Sequence, residues 1–380
     1  MRVVNTERIP IKLWLDDIEN TALQQARNLA NLPFAYKWVA IMPDSHPGYG
    51  MPIGGVLAAA DVIVPNAVGV DIGCGMCAVK TSLTHIDRGL LEDVLTEIRS
   101  VIPVGFDHQH DKQHWDGFND APDIPIIQQE LESARKQLGT LGSGNHFIEI
   151  QKGDDSRVWA MIHSGSRNFG LKTAEAYFHV ARKLCEKYPN DLPDRDLSFL
   201  PMETHEAQEY FKAMNYCLRF AQANRDLMMQ RITDILADIC GASVLETINI
   251  HHNYAAFETH YGKEVLVHRK GATRADAGLT GIIPGSMGTC SYITEGLGNP
   301  ESFMSSSHGA GRRMGRNEAT RRLDFAEEQR KMSGIVHHLR SKHDLDEAPG
   351  AYKDIDQVMR DQQDLVKIKV KLKPLGGIKG

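Results

Sequence analysis

Gly69-Val-Asp-Ile-Gly-Cys-Gly75 sets a carboxylate and a thiol three residues apart on a turn rich in glycine. At that spacing both side chains can face one point. A thiolate can bridge two cations, and a carboxylate suits the harder of them. Taken alone, the loop is more readily read as a buried free cysteine. Two apolar stretches feed it. Residues 38–42 read as a short buried strand ending at Pro43-Asp44, and residues 53–64 as a longer β-leaning stretch closed by Pro65. Working outward, helical spacing is predicted over 90–100 and 126–138, with a polar segment, 106–125, between them. Short strands are predicted at 147–150 and 158–162, with His146 and His163 at their ends. Helices follow at 173–187 and 205–239, strands at 247–250 and 265–268, helices at 318–331 and 355–363, and a strand at 365–372 before Pro374. The regular strand–helix alternation of a doubly wound sheet is missing. The order predicts an α+β fold: mixed sheets with flanking helices in one large integrated domain, residues 1–380.

Four more stretches put a histidine where the backbone turns tightly or meets polar partners: Gly142-Ser-Gly-Asn-His146, His163-Ser-Gly-Ser-Arg167, His251-His-Asn-Tyr254 and Ser307-His-Gly-Ala-Gly-Arg312. A lone histidine is more often a hydrogen-bonded core or surface group than a ligand. Together with Asp71 and Cys74, however, His146, His163 and His252 make a set able to hold two metal ions with Cys74 shared. The His308 stretch differs in kind. Small residues beside the imidazole admit a phosphate, and the arginines that follow offset its charge. A histidine so placed can attack phosphorus. The plainer account is a helix-start anion site with a capping serine. Neither a Walker-type phosphate loop nor a dinucleotide glycine fingerprint after a strand occurs in the chain, so a nucleotide must bind in another way.

The 380 residues carry a formal net charge of −6, and 42% are hydrophobic. An acidic balance argues against non-specific coating of nucleic acid but leaves room for local phosphate patches, such as Gly311 to Arg322 with its five arginines. The first nine residues lack the apolar core of a signal peptide, and no apolar run is long enough to span a bilayer, so a cytoplasmic protein without a membrane partner is expected. Six cysteines in a reducing compartment are expected as thiols or metal ligands, not bridges. The segment 106–115 holds His108, His110 and His114 and is expected to be a polar loop and not a further metal site.

Ten stretches together carry a resemblance. They are Pro43-Asp-Ser-His-Pro-Gly-Tyr-Gly50, Val68 to Met76, Leu141 to Phe147, His163 to Arg167, His252-Asn-Tyr254, His268 to Gly271, Pro284-Gly-Ser-Met-Gly288, His308 to Arg312, Ala351-Tyr-Lys353 and Ile378-Lys-Gly380. The chain resembles, over essentially its whole length, the RtcB family of GTP- and manganese-dependent RNA ligases. These join a 3'-phosphate or 2',3'-cyclic phosphate to a 5'-hydroxyl. The resemblance implies that His308 carries GMP as a phosphoramidate and that Cys74 bridges two Mn2+ ions. One ion would be completed by Asp71 and His146, the other by His163 and His252. It implies guanylate binding by Asn145, His146, Phe147, Ile148, Glu149, His252, Asn253, Pro284, Gly285, Ser286, Met287, Ser291, His308, Gly309, Ala310, Gly311 and Lys379, with Asp44 and Tyr352 at further active-site positions. Asp44 is expected to partner the second nitrogen of His308, and Lys379 and Glu149 to read the guanine edge. The chain is short for the family. The expected partner is RNA with 3'-phosphate or cyclic-phosphate and 5'-hydroxyl ends, in repair or tRNA splicing; the need for an activating helper protein is left open. Three other readings stand beside it: an enzyme that opens cyclic phosphates but seals poorly, a phosphate-ester hydrolase with a dinuclear metal centre, and a non-catalytic RNA-binding protein.

Overall fold

The fold is taken from a computed structural model of the chain, which describes residues 1–186, 192–337 and 341–380. Two sheets dominate. The first has six strands in the order Arg2–Val4, Ile11–Leu13, Ala35–His46, Ile53–Ala59, Lys263–Lys270, Asn253–His260. The second has seven, in the order Val244–His251, Gly75–Thr81, Val158–Ser164, Phe147–Gly153, Val366–Lys379, Ser291–Gly296, Thr280–Ile283. Every neighbouring pair is antiparallel except Ile11–Leu13 with Ala35–His46. The helices Asn20–Ala30, Arg88–Val101, Pro125–Gln137, Arg167–Cys185 and His205–Cys240 flank these sheets. The expected α+β architecture is what forms, because the sheets bury Val, Ile, Met and Ala on their inner faces against the helices' apolar stripes.

Registers explain where chemistry collects. Across the second sheet His251 pairs with Gly75, Gly75 with Ser164, Phe147 with His163, and Lys379 with Phe147. Five adjacent strands therefore present Cys74, His146, His163, His252 and Lys379 at one end. The chain leaves that sheet at His251 and enters the first at Asn253, so His252 lies at the crossing between sheets.

Several expected boundaries move. The strand expected to stop before Pro43 continues to His46, because the ladder is irregular between Ile41 and His46 and a proline fits where no N–H is asked for. The stretch 53–64 is two strands, reversing at Ala60-Asp61. The helix expected over 318–331 is two, Arg316–Arg322 and Phe325–Lys331; Asp324 caps the second by accepting from Glu327 N at 2.8 Å. The last strand passes through Pro374 at a register shift and reaches Lys379. The helix expected over 173–187 starts earlier, at Arg167, and its expected last residue lies outside the described residues. All six cysteines are free thiols. No helix among the described residues is long and apolar enough to cross a membrane.

Candidate active site and metal centre

Asp71, Cys74, His146, His163 and His252 come together as two overlapping triads. Cys74 Sγ lies 3.3 Å from His163 Nε2, which lies 3.3 Å from His252 Nε2. On the other side Cys74 Sγ lies 3.5 Å from His146 Nε2, which is 3.1 Å from Asp71 Oδ2. Cys74 belongs to both triads. His146 Nδ1 donates to Leu141 O at 3.0 Å and His163 Nδ1 to Asn145 O at 2.9 Å. Those carbonyls fix the protonated nitrogen, so the lone pairs on Nε2 turn inward. Burial pushes the Cys74 thiol well up, reinforced by the Asp71 charge. Burial, with the neighbouring imidazoles, holds His163 and His252 well below the ordinary histidine value. Burial pushes the Asp71 carboxyl up, but the His146 hydrogen bond and nearby charges outweigh it and hold it low. Neutral imidazoles, a carboxylate and a buried sulfur crowd their lone pairs together with few protons to share. A thiolate there would be a buried charge, and the nearby Arg225 guanidinium is already committed to Gly73 O, Ser164 O, Asn249 and His251, so the set fits a pair of cations that deprotonate the thiol and separate the lone pairs.

The long helix His205–Cys240 braces these loops from behind. Asn224 Oδ1 accepts from Gly139 N at 2.7 Å and Thr140 N at 3.1 Å, and its Nδ2 donates to Thr140 O, Ser164 Oγ and Gly165 O. Arg225, wholly buried, donates to Gly73 O and Ser164 O at 2.9 Å each, to Asn249 Oδ1 at 2.7 Å and to His251 Nδ1 at 3.0 Å. Gly165 is packed so closely that an added Cβ would stand 2.2 Å from Asp71 Oδ1.

His308 lies beside the cluster, its ring centroid 4.7 Å from that of His252. Its Nδ1 is 2.6 Å from Asp44 Oδ2. The same carboxylate oxygen accepts from His308 N at 3.0 Å and Gly309 N at 3.2 Å. Asp44 is fully buried. With Nδ1–H committed to the carboxylate, the lone pair of His308 is on Nε2. Gly311 carries φ +73°, and a Cβ there would meet Asp44 O at 2.0 Å, so only glycine lets this loop close on the Asp44 strand.

Both groups open on a cavity of about 480 Å³. Of the expected guanylate residues, Asn145, Phe147, Glu149, His252, Asn253, Pro284, Gly285, Ser286, Met287, His308, Gly309, Ala310, Gly311 and Lys379 line it, and so does Tyr352. His146 is not part of the lining and sits in the Asp71/Cys74 triad. Ile148 faces the other way, into the core with Ile150 and Ile162, as strand alternation requires. Ser291 stands behind the wall, accepting from Gly285 N at 3.2 Å and from Gln151 Nε2 at 3.1 Å, while Gln151 also donates to Glu149 Oε2 at 2.7 Å. Burial pushes the Glu149 carboxyl up to about 7, and burial likewise lowers Lys379.

Sequence reasoning missed Glu347. It accepts from Arg312 Nη1 at 2.9 Å, lies 3.0 Å from Arg316 Nε and 3.5 Å from Lys379 Nζ, and is hydrogen-bonded by Tyr352 Oη. Asn224 and Arg225 were missed as well; inside a long amphipathic helix nothing in the spacing marks them. His108, His110 and His114 are exposed and belong to neither metal-like cluster found among the described residues.

The family model described as tRNA-splicing ligase RtcB matches residues 25–380. The chain belongs to the RtcB family. It is 40% identical to the RNA-splicing ligase RtcB of Escherichia coli K12, with 100% of this chain and 99% of that protein covered. It is 33% identical to the tRNA-splicing ligase RtcB of Thermococcus kodakarensis, covering 98% and 95%, and 34% identical to that of Nanoarchaeum equitans, covering 98% and 95%. These alignments run to 410, 458 and 461 positions against 380 residues, so the relatives carry insertions this chain lacks.

Proposed function

We propose that this RtcB-family chain is an RNA ligase that uses GTP and Mn2+ to join RNA 3'-phosphate or 2',3'-cyclic phosphate ends to 5'-hydroxyl ends. The observation that carries the reading is the Asp44–His308 pair, with His308 Nδ1 at 2.6 Å from the carboxylate and its ring against the Cys74 cluster. The paired triads Asp71/Cys74/His146 and Cys74/His163/His252 would hold two Mn2+ ions. Such ions, when bound, withdraw charge from the phosphates at the reacting centre.

His308 Nε2 attacks the α-phosphorus of GTP. An N–P bond forms, the bridging P–O bond breaks, and pyrophosphate leaves with its electron pair. Asp44 holds the Nδ1 proton and stabilises the cationic ring that results. Glu149 and Lys379 read guanine, the carboxylate accepting from ring and amino N–H groups and the ammonium donating to O6. The GMP then passes to an RNA 3'-phosphate oxygen as the N–P bond breaks. The 5'-hydroxyl oxygen attacks the activated 3'-phosphorus, GMP departs, and the hydroxyl proton goes to solvent. A cyclic phosphate is first opened by water to the 3'-phosphate. The relatives' names point to tRNA splicing, and repair of nuclease-cut RNA uses the same ends. Residues 1–380 act as one ligase domain, and a reducing cytoplasm suits a Cys74 that must stay a thiol.

The test is incubation with Mn2+ and α-labelled GTP, followed by ligation of RNAs bearing 3'-phosphate and 5'-hydroxyl ends. The chain should acquire covalent label at residue 308, and His308→Ala should lose it along with ligation. A dinuclear hydrolase would acquire none.

A further inference from the structure

Glu149 and Lys379, the residues proposed to read guanine, stand on neighbouring strands of the second sheet. In that ladder Lys379 pairs with Phe147, and Gly377 pairs with Glu149. Residues two apart on a strand share a face, so Lys379 and Glu149 are diagonal neighbours, and both line the cavity. A long side chain reaches across such a diagonal. Both groups are buried and opposite in charge, and each acts on the other's proton affinity. Left to themselves, they would close on each other. An ammonium seated on the carboxylate takes the place of the base that both are to read.

Among the described residues the ion pair that forms is a different one. Lys379 Nζ lies 3.5 Å from Glu347 Oε2. Glu347 is buried, and three other donors hold its carboxylate in place. Arg312 Nη1 at 2.9 Å and Arg316 Nε at 3.0 Å meet Oε1, and Tyr352 Oη donates to Oε2. Arg312 also donates to Asp346 O, which fixes the backbone beside it. A carboxylate held from so many sides does not follow the lysine; the lysine comes to it. Burial lowers the Lys379 ammonium, and the Glu347 charge leads what opposes that, ahead of Glu149.

We propose that Glu347 is a positioning residue for base selection: by holding Lys379 back, it keeps the Glu149 carboxylate open to the ring and amino N–H groups of guanine. With no charge at position 347, Lys379 crosses the diagonal and closes on Glu149. The contact to the amino group is then lost. Inosine triphosphate differs from GTP only in lacking that amino group, so the preference for GTP over it reports whether Glu149 is open. The inference rests on the base reading proposed above.

The experiment measures single-turnover formation of the nucleotidyl adduct by the full chain, with Mn2+ at pH 8, using GTP or inosine triphosphate. The readout is the ratio of the two efficiencies, each the limiting rate divided by the half-saturating concentration. Wild type should favour GTP by at least about tenfold, as one hydrogen bond to a charged acceptor gives. In Glu347→Gln the ratio should fall to within about threefold of unity, because that hydrogen bond is gone. Lys379→Met should weaken both nucleotides alike and keep the ratio. The double variant Glu347→Gln/Lys379→Met should regain the preference, since no ammonium is left to cover Glu149; such coupling is what a double-mutant comparison isolates. A wild-type ratio in Glu347→Gln overturns the inference, even if both efficiencies drop, and makes Glu347 a strut. Loss of the ratio in Lys379→Met overturns it too, as does a double variant that stays indifferent to the amino group. If wild type forms an adduct but does not distinguish the two nucleotides, the base reading fails and the inference with it. If wild type forms no adduct at all, the proposed function itself fails, a distinct result.

Discussion

A thiol at position 74 is shared by two triads, so under the proposed function one atom would serve two ions. Cys74→Ser should weaken both sites at once, lowering Mn2+ affinity at least about tenfold and leaving no more than one tightly held ion per chain by equilibrium dialysis. Two ions retained at wild-type affinity would end the shared-ligand reading. Glu149 supplies a pH signature. Burial pushes its carboxyl up to about 7, and only the ionised form accepts both guanine N–H groups. GTP affinity should therefore fall as pH drops from 8 to 6, and Glu149→Gln should bind weakly and without that slope. The residues of this cluster were legible in the sequence because glycine turns beside His, Cys and Asp are chemically conspicuous. Glu347 was not. An isolated glutamate in the run Asp344 to Glu347 gains meaning only when Arg312, Arg316 and Lys379 fold around it.

Among the elements, the helix His205–Cys240 does what no motif announced. Its amphipathic spacing predicted a buried stripe, and the stripe is there. Within it Asn224 holds the turns at Gly139-Thr140 and Ser164-Gly165, which carry the approach to His146 and follow His163. Asn224→Ala leaves those buried amides and carbonyls unpaired and should destabilise the chain by about 1–3 kcal/mol, read as an earlier thermal transition. Metal affinity should fall with it; a variant that melts early yet binds Mn2+ normally would show that the turns hold without the helix. The terminal strand makes the same point about tertiary override. Pro374 looked like an end, yet a register shift absorbs it, and the ladder carries Lys379 to Phe147 at the cavity wall.

For the molecule as a whole, two measurements bear on what holds it together. If the triads bind only in the folded state, saturating Mn2+ should raise the melting temperature and a chelator should reverse the gain; binding at 100 times the dissociation constant is worth about 2.7 kcal/mol. An unchanged melt would mean that the cluster does not bind the ion. Acid should act through Glu258. Burial raises its carboxyl, and the buried Arg269 beside it more than reverses this, holding it at about 2 against an ordinary 4.5. A depressed carboxylate contributes stability above 4.5 and loses it as pH falls from there toward 2. Glu258→Gln should therefore melt lower at pH 7 and show a shallower decline between pH 5 and 3. The sequence by itself determined the α+β class, the residues that gather around Cys74, the His308 loop and most of the cavity wall, because local turn chemistry and residue type carry that information over short distances. Only the tertiary structure decided that two sheets meet at His252, that a single carboxylate holds His308 from 264 residues away, and that Asn224 and Arg225 support the loops around Cys74, His146 and His163. Register and buried hydrogen bonds are long-range, and no spacing along the chain encodes them.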